Sequence, residues 1–192
     1  TLDNGAEISI FYLMNALVQR GNKVINVAPG YQGEDKKSYK DKFEVSGIET
    51  HILPAGKRWW EDAPGGLPED EKVRAFYYRE NIAQIRKLIQ ENNIDLVVTN
   101  TVNMFQGAVA AACESIPHFW LIHEFPENEF AYYRDKIDFI EEYSEEIYSV
   151  TGLLNQNLNS LFQNKEIKNF IPYSEVDLSL IHISEPTRLD VI

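Results

Sequence analysis

His123 closes a run of four apolar residues, Phe119-Trp-Leu-Ile122, and is followed by Glu124, Phe125 and Pro126. A histidine there can donate a hydrogen bond or share a proton near neutral pH. Ligands of open α/β sheets bind outside the carboxyl ends of the strands, which is where this spacing puts it. The plain alternative is a strand-end histidine bonded to a neighbouring loop. Thr99, Asn100, Thr101 and Asn103 follow the apolar Leu96-Val-Val98 and reach the same edge. They offer neutral donors and acceptors of the kind that hold sugar hydroxyls or phosphates. Taken singly, Thr101 and Asn103 also suit helix capping. Asn4-Gly5-Ala6-Glu7 opens the first helical pattern, where free N–H groups and the positive dipole end suit a phosphate and Gly5 allows close approach. An ordinary loop-to-helix turn accounts for the same residues.

Other clusters are less specific. Glu124, Glu127 and Glu129 bring three carboxylates together, but only His123 adds a nitrogen ligand and the spacing matches no metal motif, so we expect a solvated helix start and no metal. Lys57-Arg58-Trp59-Trp60 sets two cations beside two tryptophans in a loop, which suits an anionic head group or stacking on sugar rings; both rings folded back onto the domain is the alternative. The chain contains no G-x-S-x-G elbow, no P-loop and no G-x-G-x-x-G, which removes serine-hydrolase, P-loop and dinucleotide-fingerprint readings.

The elements that must position these residues follow from periodicity. Ile10, Leu13, Met14 and Leu17 form one face of a helix over residues 6–20, stopped by Gly21. Residues 23–28 are a β-branched strand ending at Pro29-Gly30. A lysine-rich stretch, 33–42, leads to Phe43-Glu-Val and to 48–53, whose alternation predicts another strand. Six glycines and prolines make 54–70 a loop. Tyr78, Ile82, Ile85 and Ile89 predict a long helix over 71–92, followed by a buried strand at 95–99 and a helix over 103–114 whose Met104, Gly107, Ala108 and Ala111 pack closely on a sheet. The remaining pattern predicts a strand at 118–123, a helix at 129–142, a strand at 146–150, a helix at 153–162 and a strand at 167–171. Alternation of helices with short apolar strands implies βαβ crossovers, hence a Rossmann-like, doubly wound parallel α/β sheet with helices on both faces. Such a sheet ordinarily opens with a strand feeding its first helix, so we expect a first strand upstream of residue 1.

Composition bounds the partners. With 44% hydrophobic residues in 192, the chain can fill a sizeable core. Thirty acidic against 18 basic residues give a net charge of −12, which opposes phosphate backbones and argues against nucleic acid. No apolar run approaches the roughly 18 to 20 residues that cross a bilayer, and no signal peptide is evident. The single cysteine, Cys113, has no disulfide partner, which fits a cytoplasmic location. The last stretch, from Ser179 to Arg188, resembles a translated sequencing adapter, so residues 179–192 are set aside as an artefactual or disordered tail and the domain is taken as 1–178.

Several segments together resemble a known family: Gly5-Ala-Glu7, Leu17-Val-Gln-Arg-Gly-Asn-Lys-Val24, Asp95-Leu-Val-Val-Thr-Asn100, Gly107-Ala-Val-Ala-Ala111 and Ile116-Pro-His-Phe-Trp-Leu-Ile-His-Glu124. In order and spacing they are similar to the N-terminal domain of GT-B glycosyltransferases of the family 4 type. Ile147-Tyr-Ser-Val-Thr-Gly152 resembles the family's strand before a helix, and Asn169-Phe-Ile-Pro-Tyr-Ser-Glu-Val-Asp177 its hinge into a second domain. The resemblance implies a retaining, nucleotide-sugar-dependent hexosyltransferase that needs no metal or other cofactor. It implies an acceptor held mainly by this domain and a donor held mainly by a C-terminal domain that does not follow Asp177. Gly5 and Ala6 match the turn facing the donor phosphates, and His123 the catalytic histidine facing the donor sugar. Asn100, Thr101, Asn103 and Glu124 fall beside it as substrate-binding candidates, and Trp59 and Trp60 as an acceptor or membrane loop. Asn4 stands where the family has a second glycine, and Ser174-Glu175 replace the hinge glycine. The expected setting is cell-envelope or capsular polysaccharide or glycolipid synthesis at the inner membrane face, with a glycan or lipid-linked acceptor, and the fragment alone is expected to be inactive. Two other readings compete: a non-catalytic Rossmann-like subunit that recruits an acceptor or a catalytic chain, and a free-standing nucleotide-binding protein of flavodoxin-like shape.

Overall fold

The structure is a computed structural model that describes residues 5–30, 36–53, 60–63 and 70–170. In chain order it contains α1 (Gly5–Gln19), β1 (Ile25–Pro29), α2 (Lys36–Val45), β2 (Glu49–Leu53), α3 (Glu71–Asn92), β3 (Val97–Asn100), α4 (Gln106–Glu114), β4 (His118–Ile122), a 3-10 helix (Asn128–Lys136), α5 (Ile137–Glu142), β5 (Glu146–Val150), α6 (Leu153–Leu161) and β6 (Ile167–Phe170). Every strand pairing is parallel. The strands form two sheets, β1-β2 and β3-β4-β5-β6, where alternation alone predicts one. The adapter-like tail, the loop tryptophan Trp59 and most of the hinge segment lie outside the described residues.

Most elements follow local rules. Gly21, at φ +86°, ends α1 in the left-handed conformation that glycine adopts without strain. Asp70 caps α3 by accepting from the Val73 N–H at 3.0 Å, and Asn93, at φ +50°, closes it. Phe43-Glu-Val45 departs from expectation, for it ends helix α2 instead of entering a strand. Tyr39 and Phe43, one helical turn apart, present one aromatic face; their rings lie 4.8 Å apart, and Phe43 meets Phe11 of α1 edge-on at 5.2 Å. The 129–142 segment is helical, but its first part is a 3-10 helix, which carries Tyr133 into the core.

Core packing is sided. Trp120 and Ile122 of β4 and Ile147 of β5 share a cluster with Ala108 of α4, Ile140 of α5, and Leu154 and Leu158 of α6. A second cluster joins Ile85 and Ile89 of α3 to Ala110 of α4 and Leu53 of β2. The small face of α4 sets this spacing: a Cβ on Gly107 would lie 3.0 Å from the Thr99 hydroxyl. Glu141 secures the turn into β6. The residue is 4% exposed, and its carboxylate accepts from the backbone N–H groups of Gln163, Asn164 and Lys165 and from the Asn164 amide. Burial alone would raise its pKa; these donors outweigh burial and hold the carboxyl below the ordinary range.

His118, at the start of β4, is a buried core histidine. Its Nδ1–H donates to the Tyr143 carbonyl at 3.0 Å, so Nε2 accepts from the Thr99 hydroxyl at 2.8 Å. Burial pushes its pKa down to about 4, with the Tyr143 bond opposing. The unfolded chain carries an ordinary histidine near 6.5, so between these values it binds the extra proton and stability is lost on acidification. We expect the urea-unfolding free energy to fall between pH 7 and pH 4.5 by about 2.5 kcal/mol more in the native chain than in His118→Gln. Parallel pH profiles for the two proteins would show that His118 titrates normally.

Candidate functional site

The parallel register of β3 and β4 pairs Asn100 with Leu121, so the residues leaving both strands emerge side by side. Thr101 turns sharply at φ +129°, a region a β-branched residue occupies only under constraint. The constraint is Glu124. One carboxylate oxygen accepts from the Thr101 hydroxyl, and the other accepts from the backbone N–H groups of Val102 and His123 at 3.2 and 3.1 Å. The Trp120 indole N–H donates to the Thr101 carbonyl at 2.8 Å, and the Thr101 hydroxyl accepts from the Asn103 N–H at 3.3 Å. Glu124 is itself held by Tyr133, whose hydroxyl donates to its carbonyl at 2.8 Å. Burial, reinforced by the charge of Glu124, keeps that phenol protonated.

His123 faces the other way along the edge. Its Nε2 lies 2.8 Å from the Asn100 side-chain oxygen, and the Asn100 amide nitrogen donates to the Ala6 carbonyl in the first turn of α1 at 3.3 Å. The Ala6 carbonyl can only accept, so Asn100 must turn its nitrogen to Ala6 and its oxygen to His123. Nε2 therefore carries the ring proton, and Nδ1 remains as an acceptor. Burial lowers the pKa of His123 and the Glu124 charge opposes this, so the ring is neutral at pH 7.

One cavity of about 900 Å³ is lined at this end by Gly5, Ala6, Asn100, Thr101, Asn103, His123 and Glu124, seven residues singled out from the sequence. A Cβ on Gly5 would meet nothing within 4 Å. Thr101 and Glu124 spend their polar atoms on the loop itself, while Asn103 accepts from the Tyr132 hydroxyl at 2.7 Å. Trp60 is turned onto the domain: its indole N–H donates to the Val102 carbonyl at 2.7 Å, its ring packs on Phe105 and Phe139, and the Lys136 ammonium lies 5.3 Å above it. Among the described residues no group of three metal-ligating side chains is assembled. The supporting roles of Trp120, Tyr132 and Tyr133 escape a sequence reading, because nothing in their spacing marks which polar tip reaches the 101–103 loop.

The glycosyltransferase family 4 model matches residues 3–149. The chain belongs to glycosyltransferase family 4. Among solved structures, MurG of Acinetobacter baumannii superposes with a TM-score of 0.54 at 12% identity, over 83% of this chain and 40% of that one. This likeness concerns the fold, and it shows the Rossmann-like half of a GT-B architecture. The calicheamicin glycosyltransferase CalG4 is a weaker match, with a TM-score of 0.42 at 18% identity over 72% of this chain and 43% of that one. No functionally curated protein matches in sequence. The family 4 chain spans about 40% of the MurG chain.

Two outcomes test this geometry. Glu124→Ala leaves two backbone N–H groups and a hydroxyl without their acceptor, so chemical denaturation is expected to register a loss of about 2–4 kcal/mol; a loss under about 0.5 kcal/mol would show that the carboxylate does not hold the loop. Long-range proton–nitrogen NMR correlation of the imidazoles is expected to show the Nε2–H form of His123 in the native chain and a mixture in Asn100→Ala. A native ring protonated at Nδ1 alone would contradict the assignment.

Proposed function

We propose that this family 4 domain is the acceptor-side half of a retaining, nucleotide-sugar-dependent hexosyltransferase. The observation that supports this most is the convergence of the α1 amino end, Asn100 and His123 on one end of a single cavity, at the carboxyl edge of β3 and β4. The positive dipole end of α1 suits the donor's phosphates, and Gly5 leaves the approach open. The neutral His123 presents an acceptor nitrogen, which suits a sugar hydroxyl. In the reaction the sugar's anomeric carbon exchanges a phosphate oxygen for an acceptor hydroxyl oxygen with its configuration kept.

The donor is bound chiefly by a second domain, and the acceptor is a glycan or lipid-linked sugar of cell-envelope or capsular polysaccharide synthesis. The enzyme works in the cytoplasm, peripherally at the inner membrane face, without a metal. Among the described residues no helix is long and apolar enough to cross a membrane. Alone, this domain transfers nothing.

The test uses the full-length gene product. His123→Ala is expected to lower kcat by about 10²–10³-fold with the thermal midpoint unchanged, the size of effect seen when one preorganised hydrogen-bonding group is removed. An unchanged turnover would take His123 out of the reaction. Turnover that persists in EDTA and a product of unchanged anomeric configuration are expected alongside; metal dependence or inversion would overturn those parts of the proposal.

A further inference from the structure

The Val102 carbonyl is the meeting point of two aromatic side chains that do not themselves line the cavity. The Trp60 indole N–H donates to it at 2.7 Å, and the Tyr132 hydroxyl oxygen lies 3.3 Å from it. The same hydroxyl is 2.7 Å from the Asn103 side-chain oxygen. A phenol has one proton to give, and only the shorter contact has the ordinary length of an O–H···O bond. The proton therefore goes to Asn103. The two supports are also tied to each other: Lys136, in the same 3-10 helix as Tyr132, lies 5.3 Å above the Trp60 ring and pairs with Asp62 at 3.2 Å.

This fixes which way the Asn103 amide faces. An amide turned over would set its nitrogen against the Tyr132 oxygen. The phenol proton would then have to cross the longer contact to the Val102 carbonyl, an acceptor that Trp60 already occupies. As placed, the oxygen faces Tyr132 and the nitrogen keeps both protons. That nitrogen bonds no described residue and is not among the buried atoms left without a partner, so solvent reaches it. Asn103 itself lines the cavity, together with Thr101 and His123.

We propose that Tyr132, backed by Trp60, is a positioning residue that presents Asn103 to the cavity as a hydrogen-bond donor, so that the substrate group seated there is one offering oxygen lone pairs, a phosphate or a sugar hydroxyl. The substrate half rests on the transferase reading, while the orientation half stands on the hydrogen bonds alone. The direction of the amide carries the selectivity. A carboxamide presenting its oxygen would suit a hydroxyl proton but repel a phosphate, whose ionised oxygens only accept. Presenting two N–H groups, it holds an oxygen of either kind, and it does so as a neutral group in a chain of net charge −12.

NMR of the isotope-labelled chain tests both halves. The native Asn103 Hδ2 protons are expected to give weak NOEs to the Tyr132 ring Hε protons. Trp60→Phe, which keeps an aromatic ring but has no N–H, is expected to raise the turned-over population, and with it those NOEs, about five-fold by freeing the Val102 carbonyl for the phenol proton. Strong NOEs in the native chain, or no change in Trp60→Phe, would overturn the orientation. Titration with inorganic phosphate and, separately, with methyl α-glucoside reads the substrate group. A downfield Hδ2 shift with phosphate points to a phosphate oxygen and one with the glucoside to a sugar hydroxyl, and either supports the proposal. Tyr132→Phe is expected to weaken the binding seen by about 5- to 10-fold; equal affinity, or no shift with either probe, would overturn it. None of these readouts is turnover, so a failure of the orientation is separable from a failure of the transferase reading.

Discussion

One carboxylate sets the geometry on which the site depends. The loops leaving β3 and β4 would be free to separate beyond the last ladder bond, since parallel strands hold each other only as far as their pairing runs. Glu124 closes that freedom by accepting from the Thr101 hydroxyl and from the backbone of Val102 and His123, three groups on two loops. The positive φ of Thr101 is tolerable because the surroundings over-determine it: Trp120 holds its carbonyl, and Asn103 donates to its hydroxyl. A residue that looks like a substrate contact from its place in the chain is thereby the support that aims its neighbour.

Two histidines at opposite ends of one strand, His118 its first residue and His123 just past its last, show how environment divides roles between identical side chains. His118 bonds through both ring nitrogens, to Tyr143 and to Thr99, and burial holds it neutral far into acid. Nothing is left over for a ligand. His123, five residues on, lines the cavity and commits only Nε2, to Asn100. Strand position separates them: His118 opens β4, where Thr99 and Tyr143 close over it, while His123 leaves the carboxyl end, where ligands of open sheets bind.

The sequence is legible where local rules act alone. The α3 helix has the expected bounds because its cap residues and apolar spacing sit within one segment. The position of His123 at a strand end follows from a run of apolar residues and a proline, again local. Phe43 misleads because three alternating residues fit a strand and a helix end equally; the ring of Phe11, on another element, decides between them. The division into two sheets is also invisible to periodicity, which registers strands and not their neighbours. Glu124 shows the same limit at the site: its acidic type and edge position are legible, but its three acceptor bonds depend on the turn of Thr101, a non-local consequence of packing Trp120 beneath it.

Fold and site meet at Asn100. Its side chain joins Ala6 to His123, while its backbone closes β3, in register with Leu121 of β4. The histidine end of the Asn100 bridge is fixed through the Glu124 clamp. The orientation of His123 is therefore coupled, through Asn100, to the first turn of α1. In this domain the residues that line the end of the cavity are not appended to a finished scaffold; they share with it the same few hydrogen bonds at one strand edge.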